Sequence, residues 1–377
     1  MAEIYGGLWI PEQFVNSRFA GWLLAVVCLC FLVVRAPVMY LQPGGQDEDC
    51  YAVPGFTILQ TGIPQLPHVP ARNAESVYYR ADEALYSEPP VYFYYQAIFY
   101  LILPALYGTA RLASAFVGVA LLVLVYRLCR RCGCSTEASL WSVAFLSFSR
   151  WFYFPATAAR PDILCAAIGI AVVVLILRWQ DTGRLRILVA SGIAIGLGGL
   201  THPFAVVYAV QAAVWVMVCS RGWKRIGNPM LLASVSVLTC GLWLPLIRLY
   251  PETFRVQFVN QFLSDPGPPI WWRAAFPLDS LRFHAGHLWP HAGALQWLVT
   301  VVGLVTASLC ACRAAHRRLL PVCLCAWSSI YLLSISVGTH HPTLGYWIYF
   351  AASLFRAWVC WPRRPFNGGR DRRSLRE

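Results

Sequence analysis

The chain has 377 residues, is 58% hydrophobic and only 12% charged, and carries a formal net charge of +13. Soluble domains average roughly 25% charged residues, so a water-soluble globular enzyme is excluded. Runs of about 17–20 uncharged residues recur, long enough to cross ~30 Å of hydrocarbon as helices and too long for barrel strands. The expected fold class is therefore an all-α polytopic membrane protein.

The first apolar run, Phe19 to Tyr40, is too long for the core of a cleavable signal peptide. Ten spans are expected, at residues 19–41, 110–128, 138–156, 163–178, 187–201, 204–219, 230–247, 293–312, 319–337 and 343–361. Basic residues gather between them: Arg127, Arg130 and Arg131; Arg178, Arg184 and Arg186; Arg221, Lys224 and Arg225; Arg313, Arg317 and Arg318; and the tail from Arg363 to Arg376. With the N-terminus inside, ten spans bring every cluster to the cytoplasmic face, as the positive-inside rule requires. The surplus charge is thus a topology signal on anionic lipid, and nucleic acid is not an expected partner.

One further apolar stretch, "VYFYYQAIFYLILPALYG" at 91–108, breaks this alternation if it spans. It is expected to be a re-entrant or interfacial hairpin, turned by Pro104 and Gly108. The expected organisation is a single transmembrane catalytic domain over 1–361, with external loops 42–90 and 248–292, and a basic cytoplasmic tail over 362–377. Most of the 14 cysteines lie in or beside apolar spans, where Cys behaves as a small hydrophobe. "CRRCGC" at 129–134 has no second pair or His to complete a metal site, and Cys50 alone falls in an external loop.

The external segments hold 11 of the 17 carboxylates and seven of the eight histidines. That asymmetry points to a site at one face rather than a pore, which needs polar groups through its depth. Asp47, Glu48 and Asp49 follow the first span directly. They read either as solvated loop residues or as a general base at the water–lipid boundary. Glu88, before Pro89 and Pro90, either ends a loop or holds a metal or acceptor. Arg111, with Ala113, Ser114 and Gly118 on its helix, either caps a neighbouring helix or binds phosphate. Asp162 in "ARPD" either complements a helix dipole or serves a site, and His202 in "THPF" reads first as a structural turn. His284, His287 and His291 have helical spacing for metal, but Gly286 and Pro290 are expected to interrupt that helix.

Together these stretches resemble the C-type membrane glycosyltransferases, specifically bacterial relatives of the dolichyl-phosphate-mannose–protein mannosyltransferases and lipid A aminoarabinose transferases. "DEDCYAV…ILQTGIPQLP" is similar to that family's Asp-Glu motif. "SEPPVYFYYQAIF", "RLASAFVGVALLVLVYRLCRR" and "ARPD" follow in the family's order over roughly 20–205. The resemblance implies transfer of a sugar from a polyprenyl-phosphate donor to a glycan, lipid or protein acceptor at the extracytoplasmic face of the inner (plasma) membrane, with inversion. It implies Asp47 as catalytic base, Glu48 and Asp162 as supporting catalytic residues, and Glu88 at the acceptor or a divalent metal ion. The family's donor-phosphate lysines are missing, because Lys224 is the single lysine and is expected inside. The clamp is therefore expected from arginines, with Arg72, Arg80, Arg111, Arg248 and Arg255 on the external side. Arg160 and His202 complete the expected substrate-binding set. The chain also departs from many relatives in ending soon after its tenth span. Two other classes share the composition: a transporter or lipid flippase, which should show internal repeats or mid-span charges, and a non-catalytic subunit of a glycan assembly machine. Arg35 is the main near-membrane charge without an evident partner in sequence.

Overall fold

Ser17–Leu41 forms a 25-residue helix, α1, whose apolar composition and length carry it through a bilayer. The structure is a computed structural model that describes residues 17–260, 268–312 and 318–337. The expected tenth span, 343–361, and the basic tail, 362–377, lie outside the described residues. Among the described residues there are five helices long and apolar enough to cross a membrane: Phe19–Leu41, Tyr107–Arg131 (α4), Asp162–Thr182 (α7), Lys224–Leu249 and Ala294–Ala311. Shorter apolar helices are Leu185–Gly199 (α8), Ala205–Cys219 (α9) and Leu320–Ser336. The protein is thus a multi-pass, all-helical membrane protein.

The long helices alternate between two ends. At one end Asp181 lies 3.3 Å from Arg131 and 3.2 Å from Arg318, so three of the basic clusters converge there. The other end holds Gln46–Thr61 (α2) and Val91–Tyr100 (α3). With 10 residues α3 is about 15 Å long, half a bilayer. A turn at 101–106 then leads into α4, so 91–108 does not form a span.

Three expectations are corrected. The span expected at 138–156 is two helices, Thr136–Ser147 (α5) and Arg150–Thr157 (α6), because Ser149 between them takes an extended backbone, φ −74° and ψ 128°. The segment 42–90 is not all loop: Gly45 and the acidic run start α2, and Gly62 ends it at φ +77°, where its N–H bonds the Ile58 carbonyl at 2.8 Å. The segment 248–292 is largely helical, and one helix, Pro277–Ala292, runs through both Gly286 and Pro290. A helical glycine costs only about 1 kcal/mol, so Gly286 does not break it.

Without a hydrophobic drive between helices in lipid, contact depends on close approach. Gly192 and Gly196 of α8 provide it against Lys224–Cys240 (α10): a Cβ at Gly196 would sit 2.4 Å from Thr239 and 2.7 Å from the Ser236 carbonyl. The small residues of α4 serve α3 likewise. Ser114 Oγ and Tyr92 hydroxyl are 2.8 Å apart, and the Tyr95 hydroxyl donates to the Ala113 carbonyl at 2.9 Å.

The loop after α2 is fastened by a distant residue. Gln257 is fully buried, accepts from the N–H groups of Tyr86 (2.5 Å) and Ser87 (2.9 Å), and donates to the carbonyls of Tyr79 (2.7 Å) and Ala84 (2.9 Å). Tyr86 donates its hydroxyl to the Leu246 carbonyl at 2.5 Å and packs among Trp243 and Phe254. The Val91 N–H bonds the Leu200 carbonyl at 2.9 Å, bringing the start of α3 to the α8–α9 turn.

Candidate active site

The ends of α1, α2 and α4 meet through one guanidinium. Arg111, 4% exposed, donates to both oxygens of Glu48, at 2.9 Å and 2.5 Å. Its remaining N–H groups go to the carbonyls of Val38 and Met39 in the last turn of α1, and of Gln42 and Pro43 just beyond it, at 2.8–3.4 Å. All five donors are therefore used, in the pair with Glu48 and in capping the end of α1, one of the two roles open to Arg111 from the sequence. Glu48 also accepts from the Ala159 N–H at 2.9 Å and the Gly45 N–H at 3.3 Å. Burial pushes the Glu48 carboxyl up, but the bonds from Arg111 and Ala159 outweigh this and hold it below the ordinary range. Glu48 thus ties α2 to the segment leading into α7.

That segment carries the second group. Asp162, 2% exposed, starts α7 and accepts from Arg160 Nε at 2.7 Å. His202 Nε2 lies 3.8 Å from its other oxygen. The Phe204 N–H bonds His202 Nδ1 at 3.2 Å, which leaves the proton on Nε2, facing Asp162. Burial lowers the imidazole to about 4, with Arg160 adding to the effect and Asp162 opposing it, so it is neutral at pH 7. Tyr51 of α2 donates to Glu88 at 3.3 Å, and its ring lies 5.5 Å from the Arg160 guanidinium. Burial first, then the Glu88 charge, pushes the Tyr51 phenol well above its ordinary value. Tyr51, Glu88, Arg160, Asp162 and His202 therefore form one polar cluster.

Glu88 is the unusual member. Its Oε2 is buried without a hydrogen-bond partner. Burial, then the Asp162 charge, raises its carboxyl to about 8, so the neutral acid prevails at pH 7. A folded-state pKa above the unfolded 4.5 means that the folded protein binds the proton more tightly. The stabilisation is full below about 4.5 and is lost as pH rises through about 8. Thermal melting of wild type and Glu88→Gln across that window checks this. The variant should gain stability relative to wild type with rising pH, and parallel curves would refute the assignment.

The other expected residues are placed as follows. Asp47 belongs to the first turn of α2, next to Glu48, and its side chain lies outside the described residues. Asp49 accepts from the Tyr107 hydroxyl. Arg72 and Arg80 are bound to acidic residues of their own loop, Arg72 to Asp82 at 2.7 Å and Arg80 to Glu83 at 2.5 Å. Arg248 and Arg255 are exposed. His284 is buried in the helix Pro277–Ala292, and the side chains of His287 and His291 lie outside the described residues. Among the described residues no group of three or more His, Cys, Asp or Glu side chains is arranged to hold a metal ion. Tyr51 and Gln257 were not evident from sequence.

Beneath the cluster an apolar cavity of about 110 Å³ runs between α4, α7, α9 and the helix Leu320–Val337. Cys165, one turn after Asp162, and Phe204, whose ring is 4.6 Å from that of His202, line its upper part. Leu128 and Leu319 line the end near the basic clusters.

Residues 87–247 match the family model for dolichyl-phosphate-mannose-protein mannosyltransferase. No curated protein matches the chain. Among solved structures, ArnT from Cupriavidus metallidurans bound to undecaprenyl phosphate is similar at 19% identity and a TM-score of 0.66, over 90% of this chain and 60% of that one. An Archaeoglobus fulgidus oligosaccharyltransferase with Zn and sulfate is similar at 12% identity and 0.56, over 89% of this chain and 48% of that one. The archaeal oligosaccharyltransferase AglB, with an inhibitory peptide and a dolichol-phosphate, gives 13% and 0.53, over 90% and 50%. The chain thus spans about 60% of the length of ArnT and about half that of the archaeal enzymes. The chain thus carries, over 87–247, a segment similar to the dolichyl-phosphate-mannose-protein mannosyltransferase family, on a fold similar to that of ArnT and the archaeal oligosaccharyltransferases.

Proposed function

We propose that the protein transfers a sugar from a polyprenyl-phosphate donor to an acceptor at the membrane face opposite the basic clusters, the extracytoplasmic face of the inner membrane. The observation that carries this reading is continuity. A buried cluster with a guanidinium, a phenol and two carboxyls stands directly over an apolar cavity whose lining begins at Cys165 and Phe204. A lipid-linked sugar phosphate needs such a pairing of polar head site and apolar tail site. Similar structures, of ArnT bound to undecaprenyl phosphate and of AglB in complex with a dolichol-phosphate, agree with it.

In this reading the acceptor hydroxyl gives its proton to Asp47 as its oxygen attacks the anomeric carbon. The bond from that carbon to the phosphate oxygen breaks, and the lipid phosphate leaves with the electron pair. Direct displacement inverts the anomeric centre. Arg160 stabilises the departing phosphate, the kind of preorganised charge that dominates many such reactions. Glu88, as a neutral acid, offers a hydrogen bond without adding negative charge. His202, neutral with its proton on Nε2, steadies Asp162. Glu48 and Arg111 position α2 and do not touch substrate.

The test is transfer of radiolabelled sugar from a panel of polyprenyl-phosphate donors by the purified chain, with Val173→Trp as the companion variant. Val173 lines the cavity, so filling it should raise the KM for long-chain donors and leave kcat nearly unchanged. Absence of transfer by wild type across donors and acceptors would overturn the reading. An unchanged KM in Val173→Trp would remove the cavity from it.

A further inference from the structure

The end of α4 away from the polar cluster closes in a tight motif that carries two thiols. The Gly133 N–H bonds the Arg130 carbonyl at 3.1 Å, the Cys134 N–H bonds the Cys129 carbonyl at 3.0 Å, and Gly133 takes φ +88°. This nested pair of bonds around a left-handed glycine is the Schellman ending of a helix, which brings the side chains at the two ends of its outer bond together. Here those ends are Cys129 and Cys134, and their thiols are hydrogen-bonded to each other. The backbone bond also bounds their separation. With standard covalent lengths the two Cα atoms are at most about 7 Å apart, and disulfides bridge roughly 4.4–6.8 Å.

Both residues are buried and both are thiols. The Cys129 thiol also bonds Ser142 Oγ at 3.6 Å, and Arg130 donates to the Cys134 carbonyl at 2.6 Å. The second contact brings a cation to the turn, and a cation close to a thiol favours the thiolate, which is the reactive form. Gly133 between them is exposed, so the motif stands at the water boundary, where the last turn of a helix opens readily. This is the end that gathers the basic clusters, the cytoplasmic end by the positive-inside rule. Disulfides formed in the cytosol are mostly transient and redox-sensing. We propose that Cys129 and Cys134 are a reversible redox site, joined as a disulfide by a hydroperoxide and opened again by a small thiol. One thiolate attacks a peroxide oxygen and the O–O bond breaks, leaving a sulfenic acid and an alcohol, or water where the oxidant is hydrogen peroxide. The second thiolate attacks that sulfur, the S–O bond breaks, and water leaves. The pair gives up two electrons and two protons, and two exchanges with a small thiol restore it. Cys132, the third thiol of the turn, is at neither end of the outer bond and serves as the internal control.

The test is peptide mapping of the purified full chain after hydrogen peroxide, with remaining thiols blocked by N-ethylmaleimide and digestion by trypsin without reductant. Trypsin cuts after Arg127, Arg130, Arg131 and Arg150, so Cys129 leaves in Leu128–Arg130 and Cys134 in Cys132–Arg150. A bond between them is read as a joined pair of peptides that dithiothreitol separates. Its yield should stay within about twofold in Cys132→Ser and fall at least about tenfold in Cys134→Ser. The fragmentation spectrum of the wild-type pair places the bond at Cys134 or at Cys132 without any substitution, which covers the case of a poorly folded variant. No joined pair in peroxide-treated wild type, or a bond placed at Cys132, would overturn the proposal. Because a covalent bond rather than sugar transfer is read, that failure would leave the transferase reading untouched.

Discussion

Arg111→Met should cost about 3–5 kcal/mol of stability, the usual loss when one partner of a buried pair is removed. The substitution leaves Glu48 charged and buried, and strips the carbonyls of Val38 and Met39 in α1, and of Gln42 and Pro43 after it, of their donor. Glu48→Gln should be milder, because a carboxamide still accepts from Ala159 and still occupies the space. The double variant should cost less than the sum of the two, since each single change removes the same interaction. Melting temperatures of the four proteins in one detergent decide the matter. Additive losses, or an Arg111→Met protein that melts with wild type, would mean that the pair is incidental. The same pair predicts acid sensitivity. Glu48 is held below its ordinary 4.5, so the stability it contributes is present above that pH and lost as the folded carboxyl protonates.

Asp47→Asn should reduce sugar transfer by about 10²–10⁴, the usual worth of a positioned general base, at unchanged melting temperature. The asparagine keeps the shape of the side chain at the first turn of α2 and removes the proton acceptor. Asp49→Asn is the matching control, because Asp49 is held by Tyr107 and has no part in the proposed chemistry. Transfer should stay within a few-fold of wild type there. If Asp47→Asn transfers at the wild-type rate, Asp47 is not the base. If both variants are equally slow, the effect belongs to the charge of the acidic run rather than to one carboxylate.

Much of the plan was legible because it follows from composition and periodicity. Apolar runs of bilayer length, and basic residues at one end of each, are linear signals, and Asp181 does gather Arg131 and Arg318. The residues of the cluster were legible as types in short motifs, but not as partners. Arg111 and Glu48 are 63 positions apart, and Tyr86 and Gln257 are 171 apart. No local pattern announces such pairs. His202 read as a turn because its role depends on Asp162 arriving from another helix. Tyr51 went unmarked because 42–53 read as loop. Taken as a helix, that stretch sets Tyr51 one turn after Asp47. Arg72 and Arg80 looked free for phosphate only because their loop-mates Asp82 and Glu83 were not seen folding back on them.

Gln257 has a consequence for the order in which the protein is made. Every charged member of the cluster lies at or before His202, so the chemistry of the site has left the ribosome well before the chain is finished. The loop that carries Glu88 must wait longer. Until residue 257 is synthesised and inserted, the N–H groups of Tyr86 and Ser87 and the carbonyls of Tyr79 and Ala84 lack the partner that closes them. A nascent chain is therefore charged early and shaped late, and the loop closes only once the helix beyond Leu249 has docked.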